Sequence, residues 1–252
     1  MTPTNRAILI TGASRGIGAA CAQAFAARGD RVAIHYSSDA AAAAEVLGSC
    51  AGDGHVVVQG DLRDPAAVRS FVDEAAAHLG KIDVVVNNAG VFFSHPIESA
   101  TYEQWQQAWN DTLGVNLTGA ANVTWCALQH MPRDGGSRIV NVGSRGAFRG
   151  EPDSPAYGAS KAAIVAFGQS IAKALAPEGI AVTTLAPGFV ETDMAKDHLE
   201  GETGREIRAQ SPFNRVATPQ ELADAIVFLA SSEAEWASGA VLDFNGASYL
   251  RM

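Results

Sequence analysis

Short apolar, β-branched runs alternate with longer alanine-rich stretches along almost the whole chain. The runs are Ala7–Thr11, Arg31–Tyr36, His55–Gln59, Ile82–Asn87, Arg138–Val142, Ile180–Ala186 and Val241–Phe244. Helical stretches lie between them, near Gly16–Arg28, Ala40–Cys50, Pro65–Leu79, Tyr102–His130, Pro155–Ala176 and Pro219–Ala230. Parallel strands need crossover connections, and helices supply them. Near-continuous apolar runs also suit strands covered on both faces. The pattern predicts an α/β fold of Rossmann type: a doubly wound parallel sheet in three αβα layers, joined by right-handed crossovers.

Helix punctuation supports these limits. Asp64-Pro65, Ser154-Pro155 and Thr218-Pro219 each set a capping side chain before a proline at the first helical position. Pro177 and Gly179 stop the helix that begins at Pro155. No repeat or Pro/Ser-rich linker divides the chain, so residues 1–252 are expected to form one domain. The one long irregular region is Phe189 to Arg215, polar and containing Gly201 and Gly204, expected to be a substrate loop or lid.

Composition narrows the function classes. Of 252 residues, 47% are hydrophobic and 18% charged, as in ordinary globular proteins. A formal net charge of −9 argues against nucleic acid or an anionic membrane as partner. No run is long enough for a membrane span, and the apolar start Ala7 to Ile10 is too short for a signal peptide. Cys21, Cys50 and Cys126 are odd in number and widely spaced, as expected of reduced thiols in a cytoplasmic protein without a metal site.

The first run leads into Thr11-Gly12-Ala13-Ser14-Arg15-Gly16-Ile17-Gly18, and a helix follows. Glycines at such a turn let the backbone approach a pyrophosphate, which sits on the N–H groups at the helix start. The spacing is G-x-x-x-G-x-G, not the common G-x-G-x-x-G, and no Gly-Lys-Ser/Thr ending marks a nucleoside-triphosphate loop. A dinucleotide is therefore expected, and phosphoryl transfer is not.

Tyr157 and Lys161 stand four residues apart, on one face of a helix. A phenol titrates near 10, and a neighbouring ammonium stabilises its anion. Lowering that value to about 7 needs roughly 4 kcal/mol of differential stabilisation. Such a pair can move a proton on or off a carbonyl or hydroxyl oxygen. Ser144 precedes Tyr157 by 13 residues.

Together these segments resemble the short-chain dehydrogenase/reductase family in its single-domain form, from Ile8 to Gly246. The matching motifs are Thr11–Gly18, Asp61-Leu62, Asn87-Asn88-Ala89-Gly90, Asn116, Ser144, Tyr157-x-x-x-Lys161, and Pro187-Gly188 followed by Thr192. The resemblance implies that Tyr157 exchanges the proton with the substrate oxygen and that Ser144 orients that oxygen. It implies that Lys161 lowers the Tyr157 pKa and holds the nicotinamide ribose, and that Asn116 anchors a proton-relaying water. Asp61 and Leu62 would contact adenine, Asn88, Ala89 and Gly90 would line the adenosine side, and Pro187, Gly188, Val190 and Thr192 would meet the carboxamide. Asn87 reads equally as support between strands. Asn116 could instead cap or kink the long helix around Gly114 and Gly119, and Asp61 could be a strand-end cap.

The second strand ends Tyr36-Ser37-Ser38, where an acid would bind the ribose 2′-hydroxyl of NAD(H). No carboxylate comes before Asp39, and Arg15 lies in the glycine turn, so NADP(H) is favoured over NAD(H). The overall resemblance is nearest to 3-oxoacyl-acyl-carrier-protein reductases and broad carbonyl reductases. A dinucleotide-binding sensor without turnover, a nucleotide-sugar epimerase and an NAD-dependent sugar or polyol dehydrogenase are the alternatives. The substrate is expected to be a small carbonyl or alcohol. Phe92, Phe93 and His95 supply apolar bulk beside it, with His95 read first as a solvated loop residue. Arg145 and Arg149 could meet an anionic substrate, but read first as structural ion pairs or solvent-facing groups. Trp105, Trp109, Trp125, Ile164, Phe167 and Ile171 carry more apolar surface than one sheet face can cover. With the segment Ala240–Leu250, they predict a homotetramer.

Overall fold

A computed structural model describes residues 5–251, without the side chains of 196–198. Of the 1–252 span expected as one domain, residues 1–4 and 252 lie outside the described residues. Seven strands form one parallel sheet: β1 (Ala7–Ile10), β2 (Arg31–Tyr36), β3 (Val56–Gln59), β4 (Val84–Asn87), β5 (Arg138–Val142), β6 (Ala181–Pro187) and β7 (Val241–Phe244). Their order is β3-β2-β1-β4-β5-β6-β7. The chain winds outward from β1 to β3, then returns to place β4 on the other side of β1. That reversal opens a crevice at the carboxyl ends of β1 and β4, where doubly wound sheets bind ligands.

The α-helices are α1 (Gly16–Ala26), α2 (Ala40–Ser49), α3 (Pro65–Leu79), α4 (Tyr102–Leu113), α5 (Ala120–Ala127), α6 (Gly146–Arg149), α7 (Pro155–Leu175), α8 (Gly201–Ala209) and α9 (Pro219–Leu229). Successive strand residues feed opposite layers. Ile8, Ile10, Val32, Ile34, Val84 and Val86 pack with Phe25, Val46 and Leu222 of α1, α2 and α9. Leu9, Ala33, Val85 and Ile139 pack with Phe71, Val123 and Leu175 of α3, α5 and α7 on the other face.

Three expectations are corrected here. The helix expected over Tyr102–His130 is interrupted by a π-helical turn at Gly114–Gly119, which carries Asn116. Both flanking glycines sit under crowding groups: a Cβ at Gly119 would come 2.8 Å from the Cβ of Leu62, and one at Gly114 would come 3.1 Å from Arg63. The region Phe189–Arg215 is not irregular, because it contains a 3-10 segment at Asp193–His198 and the helix α8. That helix was hidden by its polar face and its glycines, with only Gly204 and Ile207 buried. Finally, Asp64 and Thr218 cap their helices through side-chain oxygens, but Ser154 does not. Its hydroxyl donates to the Phe93 carbonyl at 2.8 Å instead.

Candidate active site

The glycine turn lies in the crevice between β1 and α1. Gly12 and Gly16 have φ of +62° and +55°, where a side chain is strained. A Cβ on Gly12 would lie 2.9 Å from Ala89 Cα, and one on Gly18 would lie 2.3 Å from the Gly12 carbonyl oxygen. A Cβ on Gly16 would meet Thr192 at 3.2 Å, so the turn faces the segment after β6 across a narrow gap. At the start of α1, Arg15 offers no side-chain cap. The early N–H groups of that helix are left to an anion, which fits the pyrophosphate of a dinucleotide.

Two side chains brace this turn. Asn88 Nδ2 donates to the carbonyls of Thr11 and Gly12, at 2.9 and 3.0 Å. The Thr11 hydroxyl in turn accepts the N–H groups of Asn88 and Ala89. The second brace is His35, which the sequence showed only as part of a strand. Its Nδ1 accepts the Gly12 N–H at 3.1 Å, and its Nε2 lies 3.0 Å from the Gly60 carbonyl, the partner of an Nε2–H tautomer. Burial lowers its pKa to about 4, so the ring is neutral. His35 thus ties the phosphate turn to the end of β3, where Asp61 and Leu62 begin.

After β3, where the adenine contacts are expected, Asp61 pairs with Arg63 at 2.7 Å, and Arg63 reaches Asp111. Hydrogen bonds from Arg63 hold the Asp61 carboxyl below its usual range. The Leu62 side chain belongs to the core. Ser37 and Ser38 are exposed after β2, as is Arg15 across from them in the chain. Asp39, the first acid after β2, accepts the Ala42 N–H at 3.0 Å and caps α2.

The residues expected to be catalytic gather where β4, β5 and α7 meet. Ser144 follows β5, and Tyr157 and Lys161 occupy the first two turns of α7. A hydrogen bond joins the Ser144 and Tyr157 side chains. Lys161 Nζ lies 5.6 Å from the Tyr157 ring centroid and donates to the Val142 carbonyl at 2.8 Å. Asn116 Oδ1 accepts the Val91 N–H at 2.8 Å, while its Nδ2 donates to the Val91 carbonyl and to Ser160 Oγ. Gly90 leaves room here, since a Cβ on it would lie 3.4 Å from Lys161 Nζ and 3.5 Å from Asn116 Oδ1. Asn116 therefore both occupies the helix distortion and stands beside the lysine. Asn87 is a strand support: its Nδ2 donates to Asn141 and Thr124.

The expected lowering of the tyrosine is not realised. Burial raises the Tyr157 phenol above its ordinary value; the Ser144 hydrogen bond opposes this, and the charge of Glu151 adds to it. Desolvation also brings Lys161 down to about 8. At neutral pH the phenol keeps its proton, the form needed to donate one to a carbonyl oxygen.

His95 is not the solvated residue expected; it is 2% exposed. Its Nε2 accepts the Ala156 N–H at 3.1 Å, and its Nδ1 lies 2.7 Å from the Phe93 carbonyl. It thus caps α7 one residue before Tyr157, in place of Ser154. Phe92 meets the Tyr157 ring edge-on at 5.1 Å between centroids. Arg149 pairs with Glu151, as one reading had it. Arg145 is buried at 3% exposure, with no carboxylate within ion-pair distance among the described residues.

A glycine turn at the switch point of a doubly wound sheet, with a serine, tyrosine and lysine gathered in the same crevice, defines an oxidoreductase acting on a carbonyl or an alcohol. The chain belongs to the short-chain dehydrogenase/reductase family. The family described as Enoyl-(Acyl carrier protein) reductase matches residues 12–246. The chain is 36% identical over 244 residues to the 3-oxoacyl-[acyl-carrier-protein] reductase FabG of Escherichia coli, covering 96% of each protein. A short-chain dehydrogenase from Burkholderia cenocepacia in complex with NADP is 33% identical, with a TM-score of 0.87 over 98% of this chain and 99% of that one. A structure from Brucella melitensis described as a glucose/ribitol dehydrogenase is 29% identical, with a TM-score of 0.91 over all of both chains.

Proposed function

We propose that this protein uses NADP(H) to interconvert a carbonyl and a secondary alcohol, with a 3-oxoacyl thioester or a small ketone as substrate. The observation that carries this reading is the hydrogen-bonded Ser144 and Tyr157 pair with Lys161 Nζ 5.6 Å from the tyrosine ring. The cofactor supplies the hydride. Ser144 holds the substrate oxygen, and Tyr157 gives it a proton as the carbonyl carbon becomes tetrahedral. Lys161 keeps a positive charge beside the phenolate that remains, and Asn116 holds the backbone of Val91 next to it. In the oxidative direction the same phenolate takes the alcohol proton.

Cofactor choice rests on Arg15, Ser37 and Ser38, and on the absence of an acid at the end of β2 before Asp39, which caps α2. The NADP complex of the Burkholderia relative supports it. The likeness to 3-oxoacyl-[acyl-carrier-protein] reductase supports the thioester class. The Brucella relative supports a second reading, a sugar or polyol dehydrogenase. Residues 1–252 act as one catalytic domain, with 189–215 as the segment over the substrate. The protein works in the cytoplasm as a homotetramer; among the described residues, no helix is long and apolar enough to cross a membrane.

Loss of NADPH absorbance against ketones, 3-oxoacyl thioesters, enoyl thioesters, quinones and sugars tests the proposal. Turnover of a ketone or 3-oxoacyl thioester is expected. Oxidation of NADPH by enoyl thioesters alone, or by nothing, would refute it.

A further inference from the structure

Arg145 is a buried cation to which the mechanism gives no task. It follows Ser144 directly, and its backbone N–H donates to the Pro187 carbonyl at 2.8 Å. Its side chain lines a cavity of about 250 Å³ between the end of α8 and the chain after β7. There Nη1 donates to Ser248 Oγ and Nη2 to Gln210 Oε1, both at 2.5 Å, and the guanidinium stacks 5.1 Å from the Phe189 ring centroid.

Both acceptors are neutral. The other charges around the cavity are matched: Arg215 is held by both oxygens of Glu221, at 2.8 and 2.6 Å, and Asp243 by Arg251 at 2.7 Å. A buried charge without a counter-ion is unfavourable by several kcal/mol. Burial and the charge of Arg149 lower the Arg145 pKa to about 10, with the Glu151 carboxylate opposing them without reaching ion-pair distance, and an arriving anion would oppose them further. A guanidinium has five donors in a planar fork, and only two are engaged here.

We propose that Arg145, backed by Phe189, is the binding point for a carboxylate on the substrate, at the end distal to the carbonyl that Tyr157 protonates. The subsite rests on the reading under Proposed function and names the substrate class: a keto acid, or the matching hydroxy acid. The position fits because Arg145 joins the catalytic serine to the cavity through one peptide unit. A carboxylate suits it better than a phosphate dianion, which needs a second cation, and Arg215 is committed to Glu221.

The test is calorimetric titration of the protein with butanoate, pentanoate and hexanoate, each beside its methyl ester. At least one acid should bind at least tenfold tighter than its ester. Arg145→Gln should weaken that acid at least tenfold, and Arg149→Gln, the same charge change at a solvent-facing ion pair, should leave its affinity unchanged. Arg145→Lys, which keeps the charge without the fork, should fall between wild type and Arg145→Gln, and it serves where the glutamine variant does not fold. Equal binding of acid and ester, no saturable binding of any acid, or wild-type affinity in Arg145→Gln would overturn the subsite. Reduction of neutral ketones by NADPH is scored separately and bears only on the redox reading.

Discussion

The imidazole of His95 caps the helix that carries Tyr157, accepting the Ala156 N–H at 3.1 Å. Phe93 completes the arrangement, since its carbonyl takes both the Ser154 hydroxyl and the other ring nitrogen of His95. The loop after β4 and the start of α7 are thereby locked together beside the phenol. His95→Phe leaves the Ala156 N–H unpaired, at about 1–3 kcal/mol, and removes one of the two donors to the Phe93 carbonyl, which keeps the Ser154 hydroxyl. It should lower kcat about tenfold or more through misplacement of Tyr157, with NADPH affinity nearly unchanged. His95→Gln, which keeps an acceptor, should recover most of the loss. Steady-state kinetics on both variants, with NADPH binding measured directly, checks this.

His35 predicts an acid-sensitive phosphate turn. Its folded pKa is about 4 against an ordinary 6.5, so between those values the unfolded chain binds the extra proton and the folded one refuses it. Stability attributable to His35 is whole above pH 6.5 and falls as the pH drops towards 4, by up to about 3 kcal/mol. Urea midpoints at pH 7 and pH 4.5 should separate more in wild type than in His35→Asn, which cannot titrate. Equal separation would place the acid sensitivity elsewhere.

Cofactor choice is predicted at the end of β2. Wild type should show a higher kcat/KM with NADPH than with NADH. Tyr36→Asp should shift the ratio towards NADH, about tenfold or more, because a carboxylate there repels a 2′-phosphate and accepts a ribose hydroxyl. Arg15→Ala should weaken NADPH and leave NADH nearly untouched, since Arg15 is exposed and without an ion-pair partner among the described residues.

Assembly is predicted on a revised surface. The α4 and α7 apolar residues are better covered within the subunit than their number suggested: Ile164 is 2% exposed, and Trp105, Trp109, Phe167 and Ile171 are half-buried. Of the residues expected at an interface, Trp125, Leu242 and Leu250 stay exposed, at 59%, 38% and 75%. Light scattering at micromolar concentration should give four times the 26.2 kDa of one chain. Trp125→Lys should drive the assembly towards smaller species. A mass of one chain would contradict the tetramer.

All seven strands were legible because each is a short, β-branched or apolar run flanked by glycine, proline or polar residues, and length and flanks, not period, separate such runs from helices. Tyr157, Lys161 and Ser144 were legible because their spacing carries their chemistry. His35 and His95 were not, because each acts through backbone groups distant in sequence, Gly12 and Gly60 for one, Phe93 and Ala156 for the other. The π-turn at Asn116 was hidden for a related reason. Gly114 and Gly119 announce a distortion, but the groups that demand it, Arg63 and Leu62, belong to the loop after β3. Helix α8 is amphipathic but strongly polar overall, with Ile207 its one large buried apolar residue, so it reads as a polar loop.

The central claim is that the Tyr157 phenol is the proton donor, and single-turnover reduction of a ketone by NADPH in wild type and Tyr157→Phe tests it most directly. With the donor gone and the ring retained, the rate of the chemical step should fall by a factor on the order of 100 or more, with NADPH affinity unchanged. In wild type the rate should hold through neutral pH and decline above about 8, where Lys161 loses its charge. A Tyr157→Phe enzyme that reduces the ketone within a few-fold of wild type would contradict the account.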